Sequence, residues 1–164
     1  MTHLTRLLAA AALLALPVAA RAQDSGLPLG SKAPSAIVQS FDGKSVDLAK
    51  LVGKGPALVD FWATWCENCE ELLPALQKSY RTYGSRVKFI GVSVNVNQSA
   101  KRAQLHIAKH KVPGIQLFDT KGDATGKWDV PATSYIVVID KNGKIVYTGV
   151  GGDQNLDAAI RKAL

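Results

Sequence analysis

Cys66 and Cys69 are the two residues of this chain best suited to covalent chemistry, and the chain has no other cysteine. They lie three positions apart, after an apolar run and at the start of a helical pattern. A thiol at a helix N-terminus faces unpaired backbone N–H groups and the positive end of the helix dipole, which favour the thiolate. We therefore expect Cys66 to be the exposed nucleophile. Cys69, one turn further in, is expected to be shielded and to attack a mixed disulfide formed at Cys66.

The spacing of three also places both sulfurs on one side of the helix, within reach of a disulfide bond. Such a bond closes a very short loop and adds little stability, which favours a redox function over a structural one. A purely structural disulfide is one alternative. Half of a metal site is another, but the chain beyond its N-terminal segment offers only His106 and His110 as the further ligands. Because these histidines lie near Arg102 and Lys109, a solvated basic face is expected, with no metal ion and no cofactor.

Asp60 is a further candidate, because it is a carboxylate inside the apolar run Leu58–Trp62 that precedes the cysteines. Burial raises the pKa of a carboxyl group. Asp60 is therefore expected to shuttle the proton of Cys69 while the mixed disulfide is resolved. The alternative is a structural acid paired with a neighbouring group.

The elements that must position these residues follow from hydrophobic periodicity and turn signals. A β-hairpin with an Asp42-Gly43 turn is predicted over residues 36–48. Further strands are predicted at residues 58–62, 87–94, 115–118, 134–139 and 145–149, and helices at residues 66–83, 99–110 and 155–164. Strands that alternate with helices before a final hairpin predict an α/β fold with helices on both faces of a sheet.

Residues 1–22 are predicted to be an export signal and not part of the fold. Arg6 supplies the positive start, a run of apolar residues follows, and small residues precede a cleavage site after Ala22. The run is too short to cross a bilayer comfortably and Pro17 interrupts it, although a retained membrane anchor is the alternative. The expected product is one soluble domain over residues 23–164, in the periplasm or another exported location.

Composition limits the other functions open to this chain. Of its 164 residues, 47% are hydrophobic and 20% are charged, which excludes a disordered or fibrous protein. Two cysteines cannot build a fold held together by several disulfides. The formal net charge is +7, but the lysines are scattered and not clustered, so nucleic acid is not an expected partner.

In an exported location a thiol pair is oxidised unless a donor reduces it.

The segment Val59–Cys69 (VDFWATWCENC), with Pro74 after it, resembles the thioredoxin superfamily. The N-terminal hairpin, the segment between Val96 and Trp128, and the run Val138–Gly143 resemble its exported TlpA/ResA-like branch. The resemblance covers nearly the whole chain after the export signal. It implies a thioredoxin fold, in which a central mixed sheet is flanked by helices, with an N-terminal β-hairpin extension and a central insertion.

The same resemblance implies a function. Members exchange disulfides with the thiols of partner proteins, often in cytochrome c maturation, and receive electrons from an integral-membrane thiol shuttle of the DsbD/CcdA kind. We expect a monomer that acts mainly as a reductant. ResA-like members carry Glu directly after the first cysteine, as Glu67 does here. Its charge opposes the helix dipole and disfavours the Cys66 thiolate, which makes the reduced pair a better electron donor. The alternative is a solvated first-turn acid without effect.

Two positions depart from the family pattern. The family usually places a cis-proline opposite the disulfide; that position falls on Ser134, whereas Pro131 lies three residues earlier. Either Ser134 replaces the proline and the preceding bond is trans, or the loop is rearranged and Pro131 takes its place. Trp65, Thr133 and Ser134 are the expected contacts for a partner peptide. Leu72 stands where the family often has Glu, so the role of that acid does not transfer to this chain.

Two other functions compete with disulfide exchange. A peroxiredoxin-like peroxidase needs a Thr-x-x-Cys arrangement, which is not met because Thr64 lies two residues before Cys66. A metal-binding or copper-delivery module is favoured by the change at Ser134, since an altered loop can open the thiols to a metal. The scarcity of further ligands argues against it.

Overall fold

A computed structural model describes residues 26–164, so the predicted export signal at residues 1–22 lies outside the described residues. The strands are β1 (Ile37–Ser40), β2 (Ser45–Asp47), β3 (Ala57–Trp62), β4 (Lys88–Val94), β5 (Ile115–Asp119), β6 (Tyr135–Ile139) and β7 (Ile145–Val150). The helices are α1 (Leu48–Val52), α2 (Glu67–Tyr83), α3 (Ala100–His110), α4 (Asp123–Lys127) and α5 (Leu156–Arg161). Within residues 26–164, none of these helices has the length and apolar character that a membrane crossing requires.

The strands form one mixed sheet in the order β2-β1-β5-β4-β3-β6-β7. The pairs β3–β4 and β4–β5 are parallel, and the other neighbours are antiparallel. β3 lies between β4 and β6 and is buried along its whole length. Its alternating side chains therefore face both sides of the sheet, as a strand between two helical layers requires.

Two hydrophobic layers cover the two faces of β3. Phe61 faces the layer that contains α1 and α4, where the centroid of its ring lies 5.6 Å from that of the fully buried Trp128. Leu58 faces the opposite layer, built from α2 and α5, and contributes to the same cluster as Ile160. Helices on both faces confirm the predicted α/β architecture. Asp60 points to the same side as Leu58, because side chains two apart on a strand share a face.

The helix that carries the cysteines starts where the sequence predicts. Cys66 is the N-cap of α2, and Gly84 follows its last residue. Pro74 lies inside the helix and removes one N–H from its hydrogen-bond ladder. The junction between β3 and α2 is short, and the N–H of Cys66 donates to the carbonyl of Ala63 at 3.3 Å. The cysteines are therefore tied directly to the buried central strand.

Two short helices differ from the prediction. The second arm of the hairpin ends at Asp47, whose carboxylate caps α1, so Leu48 begins a helix and not a strand end. Helix α4 is absent from the predicted elements because it contains Gly126 and other weak helix formers. It is stabilised by Asp119, which lies outside the helix at the end of β5 and whose carboxylate accepts the backbone N–H of Thr125 at 2.8 Å.

The predicted central insertion, between Val96 and Trp128, contains α3, β5 and α4. Its strand β5 joins the N-terminal hairpin to the rest of the sheet, because it pairs with β1 on one side and with β4 on the other. The insertion also places α3 beside the cysteine-bearing end of β3, where Ala103 packs on Trp62.

Candidate functional site

Cys66 and Cys69 form a disulfide at the N-terminus of α2, as the spacing predicts. The two sulfurs are 2.07 Å apart and the Cα atoms 5.2 Å apart. The Sγ of Cys66 accepts the backbone N–H of Cys69 at 3.1 Å, which is an N-cap interaction made by sulfur. This donor and the helix dipole both favour negative charge on Cys66 once the bond is reduced.

The exposure predicted for the two cysteines is wrong. Cys66 is only 5% exposed, whereas Cys69 is half-buried. Cys66 is covered because its N-cap position turns it toward Ala63 and Val94, with which it forms a small apolar cluster. Cys69 instead lies at the edge of the cavity that contains Asp60. Cys69 is therefore the cysteine next to the buried acid.

The connection between β4 and α3 holds the cysteine loop in place. The side-chain oxygen of Gln98 accepts the backbone N–H of Thr64 at 2.9 Å, and the indole N–H of Trp65 donates to the carbonyl of Val96 at 2.8 Å. The Gln98 amide also donates to Ser93 at the end of β4 at 2.9 Å. Sequence reasoning missed Gln98. The available signal was that parallel strands β3 and β4 end at the same edge, so the segment after β4 must lie beside the cysteine loop.

Apolar and acidic side chains surround the disulfide on the outside. Trp65 is 43% exposed and Val96 is 51% exposed, and the hydrogen bond between them keeps both on one surface. Glu67 and Glu70 both lie in the first turn of α2 and are exposed. The predicted residues Trp65 and Glu67 are thus both at the surface next to Cys66.

Asp60 is buried in β3, and no charged side chain within the described part of the chain pairs with it. It is 6% exposed, and its Oδ1 has no hydrogen-bond partner among residues 26–164. Burial raises the pKa of Asp60 to about 7. The alternative that Asp60 pairs with a neighbouring group is therefore not supported, and the expected rise of its pKa is confirmed.

A small cavity joins Asp60 to Cys69. Its volume is about 20 Å³, enough for one water molecule, and Leu72 closes part of its wall. Trp62 and His106 complete its polar and aromatic lining. A proton can pass between a carboxylate and a thiol through one water, so the arrangement suits the predicted exchange between Asp60 and Cys69. Leu72, at the position of the family acid, adds only apolar surface.

The prediction of a solvated basic face for the two histidines of α3 is wrong. His106 is half-buried, and its ring centroid lies 5.3 Å from that of Trp62 and 4.2 Å from that of His110. The reason is that the apolar side of α3 packs on Trp62, which draws His106 against the indole. Among residues 26–164, no three His, Cys, Asp or Glu side chains are grouped so that they could hold a metal ion.

Ser134 adjoins the end of β3 and is fully buried in a left-handed conformation with φ of 63°. Its backbone N–H donates to the carbonyl of Phe61 at 2.8 Å, and its hydroxyl donates to the carbonyl of Gly151 at 2.9 Å. Gln154 donates to the Ser134 carbonyl at 3.0 Å. The bond before Ser134 is trans, as expected for a non-proline residue. Proline could make neither this backbone donation nor this φ.

The other residues predicted for this loop are less closely tied to the cysteines. Thr133 is half-buried and Pro131 is exposed. The bond before Pro131 is also trans, since the cis peptide found within residues 26–164 precedes Pro56. No described hydrogen bond joins Thr133 to the cysteine loop. Ser134 is therefore the loop residue that contacts the strand leading to the disulfide.

The loop geometry predicts opposite outcomes for two substitutions of Ser134. Ser134→Pro removes the N–H bonded to Phe61 and cannot adopt a positive φ, so unfolding free energy should fall by about 3 kcal/mol or more. Ser134→Gly relieves the left-handed strain and loses one hydroxyl bond, so its change should stay within about 1 kcal/mol. Denaturant unfolding of both oxidised variants measures this. A proline variant as stable as the original protein would contradict the loop geometry.

Burial of Asp60 predicts an unusual pH dependence of stability. The folded protein keeps the Asp60 proton up to a pKa of about 7, whereas the unfolded chain releases it near the usual aspartate pKa of 3.8. Stability is therefore lost as the pH rises between these two values. Asp60→Asn should raise the unfolding free energy above pH 7 by up to about 4 kcal/mol, and change it little at low pH.

Denaturant unfolding of Asp60→Asn across this pH range checks the expectation, with Asp123→Asn as the control. The Asp123 carboxylate accepts the backbone N–H of Ile37, which lowers its pKa. Asp123→Asn should therefore destabilise the protein at neutral pH and lose that effect as the pH falls through the lowered pKa. If the unfolding free energies of both variants depended on pH in the same way, Asp60 would not be the buried carboxyl without a partner that the structure describes.

Comparison with known proteins agrees with the fold. The Redoxin family model matches residues 28–164. Thiol-disulfide oxidoreductase ResA of Bacillus subtilis (strain 168) is 30% identical over 122 residues, which cover 74% of this chain and 67% of that protein. The family match spans the sheet, α2 and the cysteine loop together.

Solved structures give the same result. The thioredoxin domain of a thiol-disulfide oxidoreductase from Bacteroides vulgatus has a TM-score of 0.70 at 26% identity, covering 84% of this chain and 99% of that one. A putative thiol:disulfide interchange protein DsbE from Chlorobium tepidum has a TM-score of 0.68 at 28% identity, with coverage of 83% and 95%. The chain thus belongs to the Redoxin family, and it is a thiol–disulfide oxidoreductase with a thioredoxin-like fold.

Proposed function

We propose that the protein is an exported reductant of disulfides in partner proteins, used in cytochrome c maturation or a similar maintenance of protein thiols. The observation that carries this proposal is the disulfide at the N-terminus of α2, with acidic residues outside it and Asp60 beneath it. ResA and DsbE are the names of similar proteins from other organisms. Export is supported by the predicted signal at residues 1–22.

The reaction uses both cysteines in order. The Cys66 thiolate attacks a disulfide of the partner, forms a mixed disulfide and releases one partner thiolate. Cys69 then loses its proton to the Asp60 carboxylate and attacks the Cys66 sulfur. The Cys66–Cys69 bond forms, the second partner thiolate leaves, and two electrons have passed to the partner. A membrane thiol shuttle of the DsbD/CcdA kind returns two electrons to the pair.

The direction of electron flow is argued from charge. Glu67 and Glu70 place two carboxylates in the first turn of α2, where the helix dipole would otherwise favour a thiolate. Negative charge there destabilises the Cys66 thiolate and so favours the disulfide. A pair that prefers to be oxidised is a better electron donor when it is reduced.

The partner is expected to be an extended peptide that carries cysteines. Trp65 and Val96 offer it apolar surface next to Cys66, and the loop of Thr133 and Ser134 is the proposed second contact. Because the Ser134 backbone is already bonded to Phe61 and Gly151, Thr133 is the residue of this loop left to pair with the peptide. The protein is proposed to act as a monomer.

The redox potential tests the proposed direction. A titration of the Cys66–Cys69 pair against glutathione, followed by Trp65 fluorescence, should give a potential nearer to about −270 mV than to about −120 mV. Glu67→Gln should raise the potential by about 10–20 mV, because it removes one charge from the helix N-terminus. Glu71→Gln, outside the first turn, is the matched control. A potential above about −180 mV would reverse the assignment to an oxidant.

Trapping tests the partner class. In Cys69→Ala, Cys66 can still attack a disulfide of the partner, but no second thiol is present to resolve the mixed disulfide. Mixed disulfides with partner proteins should therefore accumulate on this variant in the exported fraction. Cys66→Ala keeps one thiol at the same site and should accumulate none. Mass spectrometry of the adducts identifies the partners. Equal trapping by both variants, or by neither, would contradict the order of attack.

A further inference from the structure

His106 occupies a position that the redox reaction described above does not use. It lies on α3, packs with its ring tilted against Trp62, and lines the same cavity as Asp60 and Cys69. The rest of the lining consists of Trp62 and four apolar side chains. Among the described residues around this cavity, His106 is therefore the one ionisable group besides Asp60 and Cys69.

Asp60 needs a route by which its proton reaches the solvent. Each time Cys69 gives a proton to Asp60, the carboxyl must lose it before it can accept another. The side of Asp60 toward β4 and β5 offers no such route. Gly91, the β4 neighbour of Asp60, has no side chain, and the amide of Gln116 fills the space beside it. That amide is held by bonds to Trp62 at 3.2 Å and to Pro113 at 2.6 Å, and it does not titrate.

We propose that His106 carries the proton of Asp60 between the cavity and the solvent, an inference that rests on the redox function proposed above. His106 acts through Asp60, so it is a positioning residue for the proton and not one that attacks sulfur. Its half-buried ring faces the cavity on one side and the surface of α3 on the other. The cavity of about 20 Å³ admits one water, which is sufficient for a relay between the two groups.

The charges around His106 suit a transient proton carrier. Burial, followed by the neighbouring His110, lowers the pKa of His106 below its usual value of 6.5. Lys109 and Arg102 on the same helix lower it further, and Glu70 of α2 opposes them. The proton therefore rests on Asp60, with its pKa of about 7, and occupies His106 only in passing.

The proposed step balances as a proton transfer alone. Cys69 gives its proton to the Asp60 carboxylate and attacks Cys66 as a thiolate. The protonated Asp60 passes the proton through one water to the neutral imidazole of His106. The imidazolium releases it to solvent or buffer, and both groups return to their starting states. The two electrons remain with the sulfur atoms throughout.

The test uses Ellman's reagent, an aromatic disulfide whose released thionitrobenzoate absorbs light. The first release reports attack by Cys66, and the second reports attack by Cys69 on the mixed disulfide. Thionitrobenzoate leaves as an anion, so the second step requires only that Cys69 lose its proton. A reduced protein that gives no first release would contradict the proposed function. If the first thionitrobenzoate is released normally but the second release does not follow the pH dependence expected below, only the role of His106 is contradicted.

His106→Phe keeps an aromatic ring against Trp62 but cannot carry a proton. On the acid side of the Asp60 pKa of about 7, Asp60 begins protonated and must first lose its proton, so the second release should slow about tenfold or more. On the alkaline side Asp60 begins ionised, and the rate should match that of the original protein. His110→Phe is the matched control: His110 does not line the cavity but stacks on His106 and lowers its pKa, so the first release should stay unchanged and the second should slow far less than in His106→Phe.

Two further variants separate a proton path from a structural effect. Because the relay runs in series, His106→Phe combined with Asp60→Asn should be no slower than Asp60→Asn alone. His106→Ala should recover its second release when free imidazole is added, whereas pyrrole, a similar ring without a basic nitrogen, should not restore it. The proposal is overturned by an unchanged second release on the acid side, by equal slowing at every pH, or by additive effects in the double variant.

Discussion

The attachment of the α2 N-terminus to the end of β3 is the constraint on which the site depends. β3 is buried along its whole length and paired on both sides, so its end cannot move independently of the sheet. The Cys66 N–H bonds to Ala63, and Gln98 holds the N–H of Thr64 from the neighbouring loop. The sulfurs are thereby kept in the orientation in which helix dipole and backbone N–H act on Cys66, and little reorganisation is needed when the bond forms or breaks.

β3 also carries Asp60, a side chain whose burial lowers the stability of the fold. Asp60 lies between apolar neighbours and forms no ion pair with any residue of the described segment 26–164, and a raised pKa is the consequence. A carboxyl that titrates near neutral pH is suited to proton exchange with a thiol. Function and stability therefore oppose each other at this position, as they often do at active sites. The small cavity links Asp60 to Cys69 and not to Cys66, the proposed nucleophile.

Much of this arrangement could be predicted from the sequence, because the signals are local. The fold, the Cys66–Cys69 disulfide and the raised pKa of Asp60 could be predicted from three signals. These were the two cysteines at a helix start, the apolar run around Asp60 and the motif VDFWATWCENC. The reversed exposure of the cysteines was not predictable, since it depends on Val94, which meets Cys66 only through the parallel pairing of β3 and β4. Gln98 and His106 were missed or misjudged for the same reason: each contacts the site across the sheet edge, from a loop or helix far along the chain.

Asp60 and Cys69 line the same cavity, and the proposed redox reaction has them exchange a proton there. The most direct measurement is an NMR titration of the Asp60 carboxyl carbon in the oxidised and the reduced protein. A pKa of about 7 is expected for Asp60 in the oxidised protein. A clear shift is expected on reduction, when the carboxyl gains a second acid, the Cys69 thiol, as its neighbour. A carboxyl that titrates near the usual aspartate pKa of 3.8, or identically in both redox states, would rule out this proton exchange.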